Sequence, residues 1–365
     1  MINITGQFFD TSGYASHTRG LANALNKLTK VKLTTNLMPG WEKLVNDKEL
    51  EMIKRKPEKD EINLIIAMPH QWKLLKGKRN FAYCVWEGDK VPESFLLDFN
   101  DEDIEYIFVP SEHTKRAIEK TLDEIVYVSE KIIQNEQILK KIKVISHGVN
   151  LSEFYPKEKP KDKFVFIANK GFRNMEDRGG IQYLLQAYLE EFTISDNVEL
   201  FLKLNPAYGV MNIEQAIKEL SPHTKTNSGP IVKINMDNLP YNRLVDIYNQ
   251  GHVFVSPTRS DAFNLPCLEA MACGLPVIST TFGGQTDFIK ENNNGWLIGG
   301  DLKEVEHEIM YEGIKWLTPD VVQLKKVMRM AYNSQKLVKE LGQNAIKTAK
   351  EFTWENSAKK IVNLI

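Results

Sequence analysis

Residues 251–288 have the sequence GHVFVSPTRSDAFNLPCLEAMACGLPVISTTFGGQTDF, in which two short apolar runs flank a helical pattern. The runs HVFVSP (252–257) and LPVIST (275–280) have the β-branched, apolar composition of buried strands. Between them, Pro266 suits the first turn of a helix and Gly274 suits its end. This order of elements predicts a β-α-β unit with parallel strands.

The same alternation continues along the rest of the chain. Further apolar runs typical of buried strands occupy residues 62–68, 105–111, 143–149, 163–169 and 198–204. Amphipathic helical patterns lie between the strand-like runs, for example at 180–192. Strands that are apolar on both faces must be covered by helices on both sides, so we predict an α/β protein with parallel sheets.

Chain length and one polar segment predict two domains. The chain has 365 residues, whereas a single domain usually has about 100–200. The segment YPKEKPKDK (155–163) is lysine-rich and contains two prolines, so we place a linker between a first domain, 1–155, and a second that starts at 156. Ligands of open parallel sheets bind beyond the carboxyl ends of the strands, so the cleft between two such domains is the expected site.

Charge and composition exclude several classes of function. Lys plus Arg number 47 and Asp plus Glu 48, a balance that argues against a dedicated nucleic-acid-binding protein. No apolar run is long enough for a transmembrane helix, and the first residues lack a secretory pattern. Three cysteines without metal-binding spacing fit a reducing compartment. We therefore expect a cytoplasmic protein with no nucleic-acid partner.

Two carboxylates of the quoted stretch could face one ligand. Asp261 lies in the predicted loop and Glu269 in the helix, eight positions later. A helix N-terminus with free backbone N–H groups lies between them, and Gly283 and Gly284 could let further amides approach a ligand closely. From the residues alone, the alternative is a loop aspartate and a solvated helix glutamate.

The same segment closely resembles the donor-binding motif of the family 4 retaining glycosyltransferases, which have the GT-B fold. The matching residues are Ser260, Asp261, Phe263, Leu265, Pro266, Leu268–Ala272, Gly274, Pro276, Val277, Gly283 and Gly284. The resemblance implies that Glu269 binds the ribose hydroxyls of a nucleotide and that Asp261, where the family usually has Glu, contacts the donor sugar. It also places Phe263, Asn264 and Leu265 in the donor site.

A second segment, KGFRNMEDRGG (170–180), resembles the family's pair of diphosphate-binding cations. It contains Arg173 and then Arg178, which stands where a lysine is usual, followed by Gly179 at the start of a helix. Two fixed cations and a helix N-terminus stabilise the negative charge of a departing nucleoside diphosphate. The alternative is a solvated polar loop, and Lys170 has no counterpart in the family pattern.

Two segments in the first half carry a weaker resemblance. Gly13 resembles the glycine of the family's first loop, which lets the backbone approach the donor phosphate and the acceptor. Trp86 and Glu87, followed by Asp89 and Pro92, resemble a mannosyltransferase-like subgroup with Trp-Glu in place of the more common His-Asp. Glu87 is therefore expected to accept the hydroxyl proton or to orient the donor sugar. The alternative is a carboxylate bonded to nearby backbone.

The resemblance extends to the last residues, which are similar to the family's terminal helix. It implies the GT-B fold, with two Rossmann-like domains whose parallel sheets face each other across a cleft. The second domain is then 156–345, and a terminal helix over 346–365 returns to the first domain.

The implied activity is retaining, metal-independent transfer of a hexose from a nucleoside-diphosphate sugar to a hydroxyl of a glycan or lipid-linked acceptor. GDP-mannose is favoured over UDP-glucose, no cofactor is expected, and the acidic triplet 101–103 is interpreted as solvated charge rather than a metal site. Catalysis is assigned to Glu87, Asp261, Arg173 and Arg178. The alternatives are a GT-B nucleotide-sugar epimerase and a non-catalytic subunit of a heteromeric transferase.

Basic and apolar side chains are mixed in HQWKLLKGKRN (70–80). One interpretation is peripheral contact with the anionic inner face of a membrane, which such a mixture favours. The other, which we favour, is a solvated connection with Trp72 packed inward.

Overall fold

A computed structural model describes residues 1–9, 12–35, 45–59, 61–125, 127–129, 131–160, 162–205, 212–220, 229–237, 239–306 and 308–365. Within these ranges, no helix is both long and apolar enough to cross a membrane. The chain divides into two compact units. Unit 1 comprises Met1–Gly148, Val305–Lys315 and Phe352–Ile365, and unit 2 comprises Val149–Glu304 and Trp316–Glu351.

Strands and helices alternate along the first half of the chain. The strands are β1 (Ile2–Gly6), β2 (Val31–Thr34), β3 (Ile62–Ile66), β4 (Asn80–Tyr83), β5 (Ile104–Val109), β6 (Tyr127–Val128), β7 (Lys131–Ile132) and β8 (Ile142–Val144). The helices are α1 (Gly13–Leu25), α2 (Asp47–Lys54), α3 (Phe95–Phe99), α4 (Glu112–Glu124) and α5 (Asn135–Lys141). Six of the strands form a parallel sheet in the order β2-β1-β3-β4-β5-β8.

The second half repeats this alternation. Its strands are β9 (Phe164–Lys170), β10 (Val198–Leu204), β11 (Ile231–Asn235), β12 (Val253–Ser256), β13 (Val277–Thr280), β14 (Gly295–Ile298), β15 (Gly300–Glu304) and β16 (Lys315–Pro319). Its helices are α6 (Ile181–Glu191), α7 (Ile213–Leu220), α8 (Leu244–Tyr248), α9 (Leu265–Ala272), α10 (Val321–Asn333), α11 (Gln335–Glu351) and α12 (Trp354–Val362). A second parallel sheet has the order β11-β10-β9-β12-β13-β14, and β15 pairs with β16.

Two parallel six-stranded sheets with helices confirm the predicted α/β class and its two Rossmann-like halves. The β-α-β unit predicted from residues 251–288 is formed by β12, α9 and β13. Every side chain of the two strands is buried, and Pro266 lies in the first turn of α9. Gly274 follows the helix with φ 78°, a left-handed conformation in which a side chain is strained.

The unit boundaries differ from the predicted domains at residues 149–155, 305–315 and 346–351. The divisions after residues 148 and 351 lie near the predicted ones, but residues 305–315, which the sequence assigns to the second domain, belong to unit 1. Ile314 of this segment is 3% exposed and lies in the apolar core of unit 1 with Trp86 and Phe95. At the C-terminus, residues 352–365 also belong to unit 1, whereas 346–351 continue α11 in unit 2.

The segment 70–80 has its apolar side chains directed inward. Trp72 and Leu74 pack against the core of unit 1, and the Trp72 Nε1–H donates to the Ala67 carbonyl at 3.0 Å. Arg79 binds Glu105 through two hydrogen bonds of 2.7 and 2.6 Å. Trp72 and Leu74 are thus partly buried against the core of unit 1, which is the inward packing that the solvated-connection interpretation predicts.

Candidate active site

Lys170 and Asp261 meet at the carboxyl ends of two neighbouring strands in unit 2. Lys170 is the last residue of β9, and Asp261 lies in the loop after β12, which pairs with β9. The Lys170 Nζ lies 2.5 Å from Asp261 Oδ2 and donates to Asn264 Oδ1 at 3.0 Å. The Lys170 side chain is only 10% exposed, so solvent and salt screen this ion pair weakly.

Arg178 approaches the same carboxylate. Its Nη1 lies 3.7 Å from Asp261 Oδ1 and donates to the Ser260 carbonyl at 2.9 Å. Burial by itself raises the pKa of Asp261, but the charges of Lys170 and Arg178 outweigh this effect and lower it. The aspartate is therefore ionised at neutral pH, and the three groups together carry net positive charge, which suits an anionic ligand.

Arg173 is the other predicted cation. Its side chain is exposed, and its backbone N–H donates to Asp177 Oδ2 at 2.8 Å. Asp177 Oδ1 also accepts from the Gly179 N–H at 2.7 Å, so this carboxylate holds the loop. Gly180, rather than Gly179, begins the turn into α6: its φ is 82°, and a Cβ there would lie 1.9 Å from the Pro257 carbonyl oxygen.

Asn264 precedes α9 in a left-handed conformation, with φ 71°, which asparagine tolerates better than most residues. Its Nδ2 donates to Ser256 Oγ at 3.0 Å while its Oδ1 accepts from Lys170. The side chains of Phe263 and Leu265 are buried, so a contribution of these two residues to a ligand site would come from their backbone.

Gly284 holds the Asp261 loop in place. Its N–H donates to the Asp261 carbonyl at 2.8 Å, and a Cβ at this position would lie 1.9 Å from the Ala262 carbonyl oxygen. From the sequence, we expect Gly283 and Gly284 to let backbone amides approach a ligand closely. In the structure, the close approach of Gly284 is to the loop that carries Asp261.

Glu269 is buried within α9 and accepts hydrogen bonds from two tyrosines. The Tyr241 hydroxyl lies 2.5 Å from Oε1, and the Tyr248 hydroxyl lies 2.6 Å from Oε2. Burial raises the pKa of Glu269, and the two hydroxyls offset this rise only in part. The alternative of a solvated helix glutamate is therefore wrong. A carboxylate has about four lone-pair sites, so its two oxygens can each accept a further hydrogen bond.

In unit 1, the start of α1 lies beside the loop after β4. Gly13 is the first residue of α1, and a Cβ there would have no atom of the described residues within 4 Å. The neighbouring Tyr14 donates its hydroxyl to the Val85 carbonyl at 3.1 Å. Burial, followed by the nearby Cys84 and Glu87, raises the pKa of Tyr14 well above its usual value, so its hydroxyl stays a proton donor.

Glu87 lies in this loop and is held through both its side chain and its backbone. The Tyr311 hydroxyl donates to Glu87 Oε1 at 2.6 Å, and His113 Nε2 lies 2.6 Å from the Glu87 carbonyl oxygen. The Thr114 hydroxyl donates to the carbonyl of the preceding Trp86 at 2.7 Å. The start of α4 therefore fixes the backbone of the loop, and Tyr311 binds the carboxylate.

Sequence reasoning set Lys170 aside because the family pattern has no counterpart for it, and it missed Tyr241, Tyr248 and Tyr311. Only Lys170 had a usable signal: it directly follows the run 163–169, and the carboxyl ends of parallel strands share one edge of a sheet. The tyrosines had none, because they lie between 21 and 224 positions from the carboxylates they contact.

Residues 235–348 match the model of the family Glycosyl transferases group 1. The chain is 24% identical over 233 residues to a probable sucrose-phosphate synthase of Thermosipho melanesiensis, which covers 63% of this chain and 48% of that protein. It is 37% identical over 62 residues to a D-inositol 3-phosphate glycosyltransferase of Acidothermus cellulolyticus, which covers 17% of this chain and 14% of that protein. The aligned part is less than half the length of these two relatives.

A solved structure with a similar fold is that of sucrose-phosphate synthase from Thermosynechococcus elongatus. The TM-score is 0.67 at 18% identity, and the match covers 100% of this chain and 97% of that chain. At this identity the likeness shows the fold alone. Residues 235–348 are therefore similar to the family Glycosyl transferases group 1, and the fold of the chain is similar to that of sucrose-phosphate synthase.

Proposed function

We propose that this chain is a glycosyltransferase that moves a hexose from a nucleoside-diphosphate sugar to a hydroxyl acceptor. The observation that carries the proposal is the positive cluster of Lys170, Arg178 and Asp261 in the same unit as the buried Glu269. Cations suit a diphosphate, and a carboxylate suits the paired hydroxyls of a ribose. Asp261 and Glu269 both lie in the segment that matches the family model.

Lys170 and Arg178 are the groups that we expect to meet the diphosphate. Both are positioned before any ligand binds, Lys170 by Asp261 and Asn264 and Arg178 by the Ser260 carbonyl. Fixed cations stabilise charge that develops on a leaving group without the cost of reorganising at the moment of reaction. The exposed Arg173, which the family resemblance selects, remains a candidate of lower rank than Lys170.

The proposed reaction retains the configuration at the anomeric carbon. The acceptor oxygen forms a bond to this carbon on the face that the diphosphate leaves, while the bond from carbon to phosphate oxygen breaks. The released phosphate oxygen takes the acceptor proton. Asp261 and Glu87 orient the sugar and acceptor, so the chain contributes positioning and charge stabilisation. The Trp-Glu resemblance favours GDP-mannose as donor and a glycan or lipid-linked acceptor.

We expect the purified chain to release nucleoside diphosphate from a nucleotide sugar only when a hydroxyl acceptor is present. Turnover should persist in excess EDTA, because Lys170 and Arg178 take the place of a divalent metal ion. The acidic triplet 101–103, which we interpret as solvated charge rather than a metal site, precedes β5. Within it, Asp101 Oδ1 accepts from the Asp103 N–H at 2.9 Å. Diphosphate release from GDP-, UDP- and ADP-linked hexoses, with the product configuration determined by NMR, tests these expectations.

Each rival activity has its own outcome in this experiment. A stereochemical change at the sugar without acceptor would favour an epimerase. Nucleotide binding without turnover of any donor would favour a non-catalytic subunit. Activity that EDTA abolishes and Mn²⁺ restores would contradict metal independence.

Glu269→Gln is expected to raise the Kd for the nucleoside diphosphate at least tenfold. The change removes the charge that strengthens hydrogen bonds from ribose hydroxyls, a difference of about 1.5 kcal/mol or more. Glutamine keeps one acceptor for Tyr241 or Tyr248, so the ligand-free protein should still fold. Titration calorimetry measures the affinity. Glu340→Gln, on the exposed face of α11, is the matched control, and an unchanged Kd for Glu269→Gln would contradict the ribose contact.

A further inference from the structure

Residues 305–315, which we call the arm, leave unit 2 after β15 and join the fold of unit 1 before the chain returns at Trp316. The Val305 N–H donates to the Ile314 carbonyl at 2.9 Å and closes the base of the arm. At its tip, the Tyr311 N–H donates to the Glu308 carbonyl at 2.8 Å. The described part of the arm therefore has a defined conformation that presents Tyr311.

The arm is in contact with the loop Trp86–Asp89, which contains the Trp-Glu pair. The Tyr311 ring stacks on the Trp86 ring, with centroids 5.0 Å apart and planes inclined by 21°. The Tyr311 hydroxyl donates to Glu87 Oε1 at 2.6 Å. Because the stacked ring fixes the direction of its hydroxyl, this bond fixes the orientation of the Glu87 carboxylate.

The rest of the loop anchors the base of the arm. A Cβ at Gly88 would lie 2.4 Å from Ile314 Cγ2, so the close packing of the arm depends on a glycine there. Asp89, which is buried, accepts from the Lys315 N–H at 2.7 Å and binds Lys120 Nζ at 2.6 Å. All four positions of the Trp86–Asp89 loop thus contribute to holding the arm.

Beyond the arm, the chain continues directly into the strand beside the Asp261 loop. The Leu317 N–H donates to the Arg259 carbonyl at 2.9 Å, and the Arg259 guanidinium lies 5.6 Å from the centroid of the Trp316 ring. The backbone N–H of Arg259 in turn donates to the Arg178 carbonyl at 2.9 Å. Within unit 2, Leu317 therefore contacts the loop that precedes Asp261.

We propose that Tyr311 is a positioning residue for Glu87, which it orients for the transfer reaction from the arm. This inference rests on the proposed function, since it requires that Glu87 face the sugar or the acceptor. The effect of Tyr311 passes through one hydrogen bond to a carboxylate whose backbone is already fixed by His113.

A double-mutant cycle on turnover tests this inference. Tyr311→Phe removes the hydroxyl and keeps the ring that stacks on Trp86, so we expect kcat to fall about tenfold, as for the loss of one hydrogen bond to a charged group. The affinity for nucleoside diphosphate should stay within twofold, since Lys170, Arg178 and Glu269 are untouched. In a Glu87→Ala background, the same change should have no further effect on kcat.

The matched control is Tyr332→Phe, which removes a hydroxyl that accepts from the Asn197 N–H in unit 2 and should leave kcat unchanged. Equal losses from Tyr311→Phe in the wild-type and Glu87→Ala backgrounds would mean that Tyr311 acts through folding, and would overturn the inference. So would an unchanged kcat in Tyr311→Phe. In either case the wild-type chain would still transfer sugar, whereas failure of the proposed function would appear as no acceptor-dependent turnover in the wild-type chain.

Discussion

Replacing Lys170 with methionine is expected to weaken nucleoside-diphosphate binding by about a hundredfold, while Arg173→Met should change it by less than tenfold. A charge-assisted hydrogen bond to a phosphate in a shielded site contributes up to about 3 kcal/mol, or two powers of ten in Kd. The Lys170 ammonium is held in such a site by Asp261 and Asn264, whereas the Arg173 side chain is exposed. Titration calorimetry with nucleoside diphosphate and with the bare nucleoside measures the difference.

Two controls separate binding from folding. Lys170→Met leaves the partly buried Asp261 with Arg178 as its cationic partner. The double variant Lys170→Met/Asp261→Asn removes both charges of the pair, so it should unfold at a higher temperature than Lys170→Met alone. Its affinity for the diphosphate should be as weak as that of Lys170→Met. If the single variant lost diphosphate and nucleoside affinity in equal proportion, Lys170 would act through the fold. A larger loss in Arg173→Met than in Lys170→Met would reinstate the cation pair that the sequence predicts.

The β-α-β unit at 251–288 could be predicted from sequence because local chemistry determines each of its parts. The side chains of β12 and β13 are all buried, so their apolar composition identifies them. Pro266 can occupy only a few positions in a helix, and it lies in the first turn of α9. None of these features depends on which segment of the chain lies next to them.

The partners of the site residues could not be predicted, because they depend on the order of strands in the sheet. Lys170 contacts Asp261 only because β9 and β12 are neighbours, and the sequence does not state that order. The arm is a second example. Ile309 is 94% exposed and Ile314 is 3% exposed, although the two residues have the same side chain and lie in the same polar stretch. Only the tertiary packing distinguishes them.

Lowering the pH from 6.5 to 5.0 is expected to reduce the free energy of unfolding by about 3 kcal/mol through His17 and His147. Both side chains are buried in unit 1, with ring centroids 4.2 Å apart. Burial lowers the pKa of His147 to about 3, and burial followed by the neighbouring His147 lowers that of His17 well below its usual value. The folded protein therefore keeps both rings neutral throughout this range.

The direction of the effect follows from proton binding. In the unfolded chain both histidines titrate near the ordinary pKa of about 6.5, so below this pH the unfolded state binds more protons than the folded state. Stability then falls as the pH falls. The slope approaches about 1.4 kcal/mol per pH unit for each histidine well below pH 6.5 and vanishes well above it. His252 in unit 2, whose pKa burial also lowers, adds to the loss in the same direction.

His17→Phe isolates the contribution of one ring. Among the described residues, neither nitrogen of His17 has a hydrogen-bond partner, so phenylalanine can replace it against Tyr83 and His147 without the loss of a hydrogen bond. The variant should be more stable than the wild type at pH 5, and its slope of unfolding free energy against pH should be smaller by about 1.4 kcal/mol per unit. Urea unfolding at pH 7.5, 6.5, 5.5 and 5.0 measures both quantities. A His17→Phe slope equal to that of the wild type would contradict a His17 ring that burial keeps neutral in the folded protein.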